Sequence, residues 1–450
     1  MAVADAAALV RAANLSGDLG LIVIDAATGE TLEALNADRA LAPASVAKLP
    51  TALYALSVLG PDARFETVVR AAGRVEGGRL QGDLVLAGGG DPELDTEALA
   101  ALARAAAERV GVVEGRFVAD ASAGAAIPAI DPTQPPEAAY NPSVGALNLN
   151  FNRVRLAWER RGGAVDVAVQ AYAAGLAPPV STVTVALAPA DCACPTFALA
   201  AAEDREAWSV RESALTGTGS VFLPVRAPAR YAAEVFRDAA GAAGLALPVA
   251  EVSRATVAGE RLAAHRSRTT AAMTADMLRF STNLTAESLG LAATAALGQP
   301  GADLAASGRA MADWADGVAG GRPGDGGFVF LNHSGLSGET RATPRRMAEF
   351  LRAATHAGLA ALTPERRIDG APPGARLRAK TGTMDFVRGL AGWIETPSGR
   401  TLVFAWFAND LERRDATRGM GRRPPGAIPW RDRAVELERK LIASWIARFG

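Results

Sequence analysis

Apolar positions change their period several times along this 450-residue chain, and the changes divide it. The N-terminal stretch reads as a short helix leading into a continuous apolar run, Leu19–Asp25. Residues 18–33 form the pattern of a β-hairpin, with its turn at Ala27-Thr28-Gly29. After Leu41-Ala42-Pro43-Ala44 a helix is expected from about Ser45 to Leu59, stopped by Gly60-Pro61. From about 64 to 261 the texture becomes short strands and turns, with one helix over Asp95–Arg109 and a Pro-rich loop over 131–142. From about 267 helical periodicity returns. It includes a helix over Ala271–Phe280, a turn at Ser281-Thr282-Asn283 and a second helix beyond it. A Gly-rich loop, 318–327, follows. Three strands are expected late, at 376–387, 389–396 and 401–408. The Arg/Pro/Gly stretch 411–431 reads as a solvated loop. An amphipathic helix, Asp432–Arg448, closes the chain, with Trp445, Ile446 and Phe449 facing a core. The pattern is that of one α+β domain whose two halves are separated by a large β-rich insertion. The expected boundaries are 1–63 and 262–450 for the split domain and 64–261 for the insertion, with a smaller domain nested at about 95–155.

Composition removes several classes of function. An apolar fraction of 49% is that of a folded globular protein, and a net charge of −1 gives no electrostatic footprint for nucleic acid. The three histidines, His265, His333 and His356, and the two cysteines, Cys192 and Cys194, have no zinc or iron–sulfur spacing, so no metal or cofactor is expected. The Cys-x-Cys pair reads either as a loop with two thiols or as a local bridge. No apolar run is long enough to span a bilayer.

Lysine use is more informative. Of 47 Lys and Arg residues only three are lysine: Lys48, Lys380 and Lys440. Arginine serves surface charge and anion binding as well as lysine does, but its guanidinium stays protonated, whereas a partly desolvated amine can lose its proton. A lysine kept against this background is a candidate for amine chemistry. Lys440 lies in the charged C-terminal helix and is set aside. Lys48 lies three residues after Ser45, so both side chains share one helix face about a turn apart. A serine hydroxyl becomes a nucleophile when an adjacent base takes its proton, and lysine serves if burial and a second cation lower its pKa. Lys380 is the candidate second cation.

Alone, Ser-x-x-Lys is a common tetrapeptide. Ser281-Thr282-Asn283 alone reads as a helix cap, although its serine can relay a proton and its amide can hold a peptide bond. Lys380-Thr381-Gly382-Thr383 alone reads as a strand with a small bulge. Its glycine admits a close backbone, and its edge can pair with an extended peptide. The three motifs in this order are a known set for penicillin-interacting serine enzymes. The chain resembles the serine-type D-alanyl-D-alanine carboxypeptidase/endopeptidases, the class C low-molecular-mass penicillin-binding proteins. Gly88-Gly89-Gly90-Asp91-Pro92, the stretch Asn283–Leu289, Ser334-Gly335-Leu336-Ser337, Arg341 and Thr343-Pro344 extend the resemblance over nearly the whole length.

The resemblance implies a β-lactamase/transpeptidase-like catalytic domain, an antiparallel sheet flanked by helices, carrying large β-rich insertions. It implies that Ser45 attacks a D-Ala-D-Ala-type carbonyl with Lys48 as base, that Ser281 passes a proton to the leaving amine, and that Asn283 holds the substrate amide. Lys380 would support the low pKa of its neighbours. Thr381, Gly382 and Thr383 would bind substrate, the threonines through its terminal carboxylate. Backbone N–H groups of Ser45 and Thr383 would form the oxyanion hole. The implied partners are peptidoglycan stem peptides and β-lactam antibiotics, and the implied location is periplasmic. Because the N-terminus has neither a basic start nor an uninterrupted apolar stretch, the numbered chain is expected to begin at the mature end of an exported protein. Two alternatives stay open: a β-lactamase or esterase using the same acyl-enzyme, and a non-catalytic peptidoglycan-binding protein on the same fold. No Glu-x-x-Leu-Asn segment lies between 284 and 379, which weighs against efficient β-lactam hydrolysis.

Three positions depart from the family pattern. Asn332-His333 stand where Asp-Gly is usual, and His333 is expected to be a solvated loop histidine. Thr282 replaces the commoner Asp. Pro50 falls inside the nucleophile helix, where it is expected to kink the turn or force it toward 3₁₀, disturbing Lys48.

Overall fold

The structure, a computed structural model, describes residues 4–173, 175–201, 205–367, 373–421 and 423–450. The chain forms two compact units, one made of residues 1–61 and 270–450, the other of residues 62–269. The first unit leaves and rejoins itself at one point, where the Ala271 N–H donates to the Pro61 carbonyl at 2.9 Å.

A six-stranded antiparallel sheet centres the first unit. Its spatial order is Glu365–Arg366, Arg376–Met384, Val387–Glu395, Thr401–Asn409, Asp18–Asp25, Thr31–Leu35. The N-terminal strand therefore pairs with the last one, Leu21 opposite Trp406 and Val23 opposite Phe404. Both strands are near-continuous apolar runs because both of their faces are covered. Leu21, Val23, Phe404 and Trp406 pack in one core with Trp430, Leu437, Leu441 and Trp445 of the final helix, Ala427–Phe449. The alternating set Ile22, Ile24, Val403, Ala405 and Phe407 is equally buried on the opposite face. That face belongs to the helices, of which Pro344–Thr355 packs directly on Thr401–Asn409 and Asp18–Asp25. Lys48–Leu59 packs in turn on Thr270–Phe280, Asn283–Ala296 and Leu304–Val318.

The second unit holds a six-stranded sheet, two three-stranded sheets and the helices Thr96–Ala107 and Pro228–Ala242. One core runs through it, with Phe117 stacked on Phe236 at 5.6 Å between ring centres. Cys192 and Cys194 are joined by a disulfide, so of the two readings of that pair the local bridge holds.

Two sequence expectations need correction. The stretch 411–431 is not all loop: Leu411–Ala416 is a helix capped by Asp410, and the final helix begins at Ala427, five residues earlier than expected. Residue 422 of that stretch lies outside the described residues. The helix after Ala44 is also composite, a 3₁₀ turn over Ala44–Ala47 that passes into the α-helix at Lys48. Among the described residues no helix is long and apolar enough to cross a membrane.

Candidate active site

Ser45 lies in the 3₁₀ turn, and Lys48 is the first residue of the α-helix that follows. The Lys48 side chain is fully buried. Its Nζ stands 3.0 Å from Ser45 Oγ and donates to Asn283 Oδ1 at 2.7 Å and to the Ser334 carbonyl at 2.9 Å. Pro50 does not disturb this placement. It is the third residue of the α-helix, where a backbone N–H has no intrahelical acceptor to lose.

Ser281 and Asn283 reach different lysines. Ser281 takes a left-handed φ of 60° between two helices, and Thr282, extended, holds the N-cap position of the second without a side-chain capping hydrogen bond. Asn283 thereby meets Lys48, while Ser281 Oγ accepts from Lys380 Nζ at 3.0 Å. Lys380 Nζ also donates to the Thr381 carbonyl at 2.8 Å. Ser45, Lys48, Ser281, Asn283 and Lys380 thus form two short hydrogen-bonded groups joined through the Ser281–Asn283 turn. Thr282 takes part in neither contact.

Gly382 explains how the third motif comes close. A Cβ there would strike the Pro43 carbonyl and lie 3.0 Å from Ala44 Cβ. The strand packs against the two residues that precede Ser45, and only glycine permits the approach. Thr381 and Thr383 project to the other face of the strand. Thr381 Oγ1 accepts from Arg366 Nη2 at 3.4 Å, and Thr383 Oγ1 from Arg388 Nη1 at 2.9 Å. Arg388 is in turn held by both carboxylate oxygens of Glu438, each at 2.7 Å.

Electrostatics follow from this burial. Desolvation pushes the Lys48 pKa down from 10.5 to about 7, against the pull of the Glu287 carboxylate. Lys380 is held well below the usual lysine range, first by burial and then by the charges of Lys48, Arg366 and Arg388. An amine near neutrality keeps two N–H groups. Asn283 Oδ1 and the Ser334 carbonyl accept both, which leaves the lone pair for the Ser45 hydroxyl.

Two neighbours carried no assigned role in the sequence. Glu287, fully buried, accepts the N–H of His333 at 2.8 Å and of Ser334 at 2.9 Å. It lies four residues after Asn283, on the same helix face, and is the one acid in an apolar helix; that isolation was the available signal. His333 is not a solvated loop residue. It is fully buried, with Nε2 2.7 Å from Ser307 Oγ and Nδ1 3.2 Å from Met311 Sδ, and its ring is stacked 6.4 Å from that of Tyr54. Desolvation lowers its pKa to about 3. The ring lies against the Asn283–Ala296 helix at Gly290, where a Cβ would fall inside the imidazole. A polar, turn-rich segment is here carried inward, because Glu287 satisfies its N–H groups. Among the described residues no cluster of three or more His, Cys, Asp or Glu side chains could hold a metal ion.

The chain is similar to known proteins in sequence and in fold. Residues 3–423 match the D-Ala-D-Ala carboxypeptidase 3 (S13) family. A D-alanyl-D-alanine carboxypeptidase of Actinomadura sp. (strain R39) is 28% identical over 446 residues, covering 87% of this chain and 77% of that protein. A carboxypeptidase of Mycobacterium tuberculosis is 27% identical over 442 residues, covering 91% and 82%. In fold, the chain is similar to penicillin binding protein 4 of Haemophilus influenzae, with a TM-score of 0.78 at 21% identity over 98% of this chain and 99% of that one. That protein has also been solved complexed with a β-lactam. The chain belongs to the D-Ala-D-Ala carboxypeptidase 3 (S13) family and is a serine D-Ala-D-Ala peptidase acting on peptidoglycan.

Proposed function

We propose that Ser45 is the nucleophile of this peptidase and Lys48 the base that activates it. The carrying observation is the pairing of a fully buried amine, its pKa pushed down to about 7, with a serine Oγ at 3.0 Å. The Ser45 O–H proton passes to Lys48 Nζ as Oγ attacks the carbonyl between the two D-alanines. The proton then moves to the leaving amine by way of Ser281, which Lys380 keeps polarised, and the C–N bond breaks. Asn283 holds the substrate amide. The Ser45 and Thr383 N–H groups stabilise the oxyanion. Thr381, Gly382 and Thr383 line the substrate strand. Water, deprotonated by the same amine, releases the acyl group.

On this reading the unit of residues 1–61 and 270–450 is the penicillin-binding catalytic domain, and residues 62–269 form the inserted β-rich region. Peptidoglycan stem peptides are the substrates, either at their free D-Ala termini or at cross-links, and the protein works in the periplasm. β-Lactams acylate Ser45 and stay attached, because their leaving group remains tethered. Two measurements test the reading. Wild type should cleave a D-Ala-D-Ala peptide while Ser45→Ala does not. Intact mass and peptide mapping after penicillin treatment should place one adduct on the Ser45 peptide; an adduct elsewhere, or wild type that binds the peptide without cleaving it, overturns the assignment.

A further inference from the structure

One sheet of the second unit breaks the usual alternation on its water side. The strands Thr218–Pro224, Arg153–Arg161 and Ala164–Gln170 form a three-stranded antiparallel sheet with Arg153–Arg161 in the middle. Val154, Leu156, Val167, Val169, Val221 and Leu223 point one way and pack in the core of the unit. The opposite face should then be polar. At one end it instead carries Phe222, opposite Arg155, and Tyr172, two residues beyond Gln170, joins it there.

Phe222 is 36% and Tyr172 39% exposed, and their rings stand 6.2 Å apart. Arg155 lies over the Tyr172 ring at 4.8 Å. Arg153 lies over the Phe222 ring at 5.2 Å and the Phe151 ring at 5.1 Å. Phe151 is brought there by three successive left-handed residues, Asn150, Phe151 and Asn152, with φ of 50°, 57° and 51°. Such backbone is costly outside glycine and persists only where its surroundings enforce it. Here both asparagine side chains are buried, and each uses its oxygen and its nitrogen in hydrogen bonds.

Charge on this face is divided. Glu159 and Asp166 stand opposite each other at the far end of the strands. Arg161 answers both, by an ion pair with Glu159 at 2.6 Å and through the charge of Asp166. At the aromatic end, among the described residues, no Asp or Glu oxygen lies within ion-pair distance of Arg153 or Arg155, and Arg153 Nε is buried without a hydrogen-bond partner. A guanidinium short of acceptors is costly, and a carboxylate satisfies it through two parallel hydrogen bonds. Two rings open to water beside two such cations fit a ligand that repeats apolar ring faces and carboxylates along one chain. Peptidoglycan repeats both, as the C–H faces of its sugars and the free carboxylates of its stem peptides.

We propose that this face anchors a peptidoglycan strand, with sugar rings against Tyr172 and Phe222 and stem-peptide carboxylates on Arg153 and Arg155. The hold is on the polymer, so it favours the assembled wall over a free peptide. The inference goes beyond the peptidase reading: it needs peptidoglycan as the substrate but not the roles given to Ser45 and Lys48.

The test is co-sedimentation of the full chain with purified insoluble peptidoglycan, using Ser45→Ala so that the polymer stays uncut. Adding Phe222→Ser and Arg155→Gln should raise Kd about 10- to 100-fold. Amidating the carboxylates of the polymer should weaken the parent and leave the doubly substituted protein unchanged. With Ser45 intact, the same two substitutions should slow release of D-Ala from the insoluble polymer and leave kcat/KM for a soluble D-Ala-D-Ala peptide within a factor of two. Undiminished sedimentation overturns the proposal. An equal fall on soluble peptide and polymer also overturns it, because the substitutions would then act through the fold. So does a result in which they abolish self-association, or sedimentation with phosphatidylglycerol vesicles, and spare peptidoglycan binding; the face would then belong to a second copy or to a membrane. Failure of the peptidase reading looks different: soluble peptide stays uncut by wild type, while sedimentation and its loss persist.

Discussion

Glu287 reaches Lys48 through a single residue. Its Oε1 accepts the Ser334 N–H at 2.9 Å, and the Ser334 carbonyl accepts Lys48 Nζ at 2.9 Å. The carboxylate therefore fixes the turn that fixes the amine, and its charge acts on that amine directly. With both oxygens accepting backbone N–H groups, the ionised form is the one that the site satisfies, although burial pushes its pKa up. Acylation needs neutral Lys48, so its rate should rise with pH through about 7. Since Glu287 raises the Lys48 pKa, Glu287→Gln should move that acid limb to lower pH. It should also destabilise the fold by about 1–3 kcal/mol, because one buried N–H loses its acceptor. The pH profile of kcat/KM reads the first effect, and an unmoved limb would remove Glu287 from the electrostatics of Lys48.

Lys48→Met keeps an unbranched chain of similar length and deletes the base. Penicillin acylation of Ser45 should slow by about 10²–10⁴-fold, the range for a lost general base. The rate constant follows from quenched mass spectra. Acylation at the wild-type rate would show that the proton leaves Ser45 by another route.

How much of this was legible beforehand depends on sequence distance. Ser45 and Lys48 are one helical turn apart, so the local period places them together whatever the rest of the chain does. The sheet was legible because its central strands are uninterrupted apolar runs. Lys380 and Ser281 stood out through motif order, but their 3.0 Å contact is made by folding alone, across 99 positions. Glu287 was visible as an isolated acid, yet its partners lie 46 and 47 positions away. His333 was misread because polar, Gly-containing segments normally face water, and nothing local announces that a remote carboxylate will satisfy this one inside. The 3₁₀ geometry expected near Pro50 is present, over Ala44–Ala47, yet Lys48 keeps its place beside Ser45, because a proline in the first turn of the α-helix costs no hydrogen bond. Pro50→Ala should therefore leave kcat/KM within a factor of two and lower stability by less than about 1 kcal/mol, through a freer unfolded chain.

Gly382→Ala tests the close approach of strand and nucleophile turn. The added methyl would meet the Pro43 carbonyl, and backbone cannot yield as a flexible side chain would. The strand must shift outward, carrying Lys380 away from Ser281. A displacement of about 1 Å in a catalytic site costs about 10²-fold in rate. The loss should fall on kcat for the peptide and on the acylation rate for penicillin alike. Unchanged values for both would mean that the strand has room to spare.

His333 makes a stability prediction whose sign can be worked out. Its folded pKa is near 3, against an ordinary value of 6.5. Above about 6.5 it is neutral in both states and contributes nothing. Between 6.5 and 3 the unfolded chain binds a proton that the folded one refuses, so stability falls as pH falls, by about 1.4 kcal/mol per pH unit. Asp316, raised by burial to about 6 from 3.8, works in the opposite sense over part of the same window. Its folded form takes up a proton first and gains stability as pH drops. Wild-type curves alone would mix the two, so the comparison needed is with His333→Gln, which leaves Asp316 in place. Between pH 7.5 and pH 5 wild type should lose about 2 kcal/mol more than the variant, read from urea unfolding at each pH. Parallel pH dependences would mean that the imidazole takes up its proton inside the fold, against its burial between Tyr54, Ser307 and Met311.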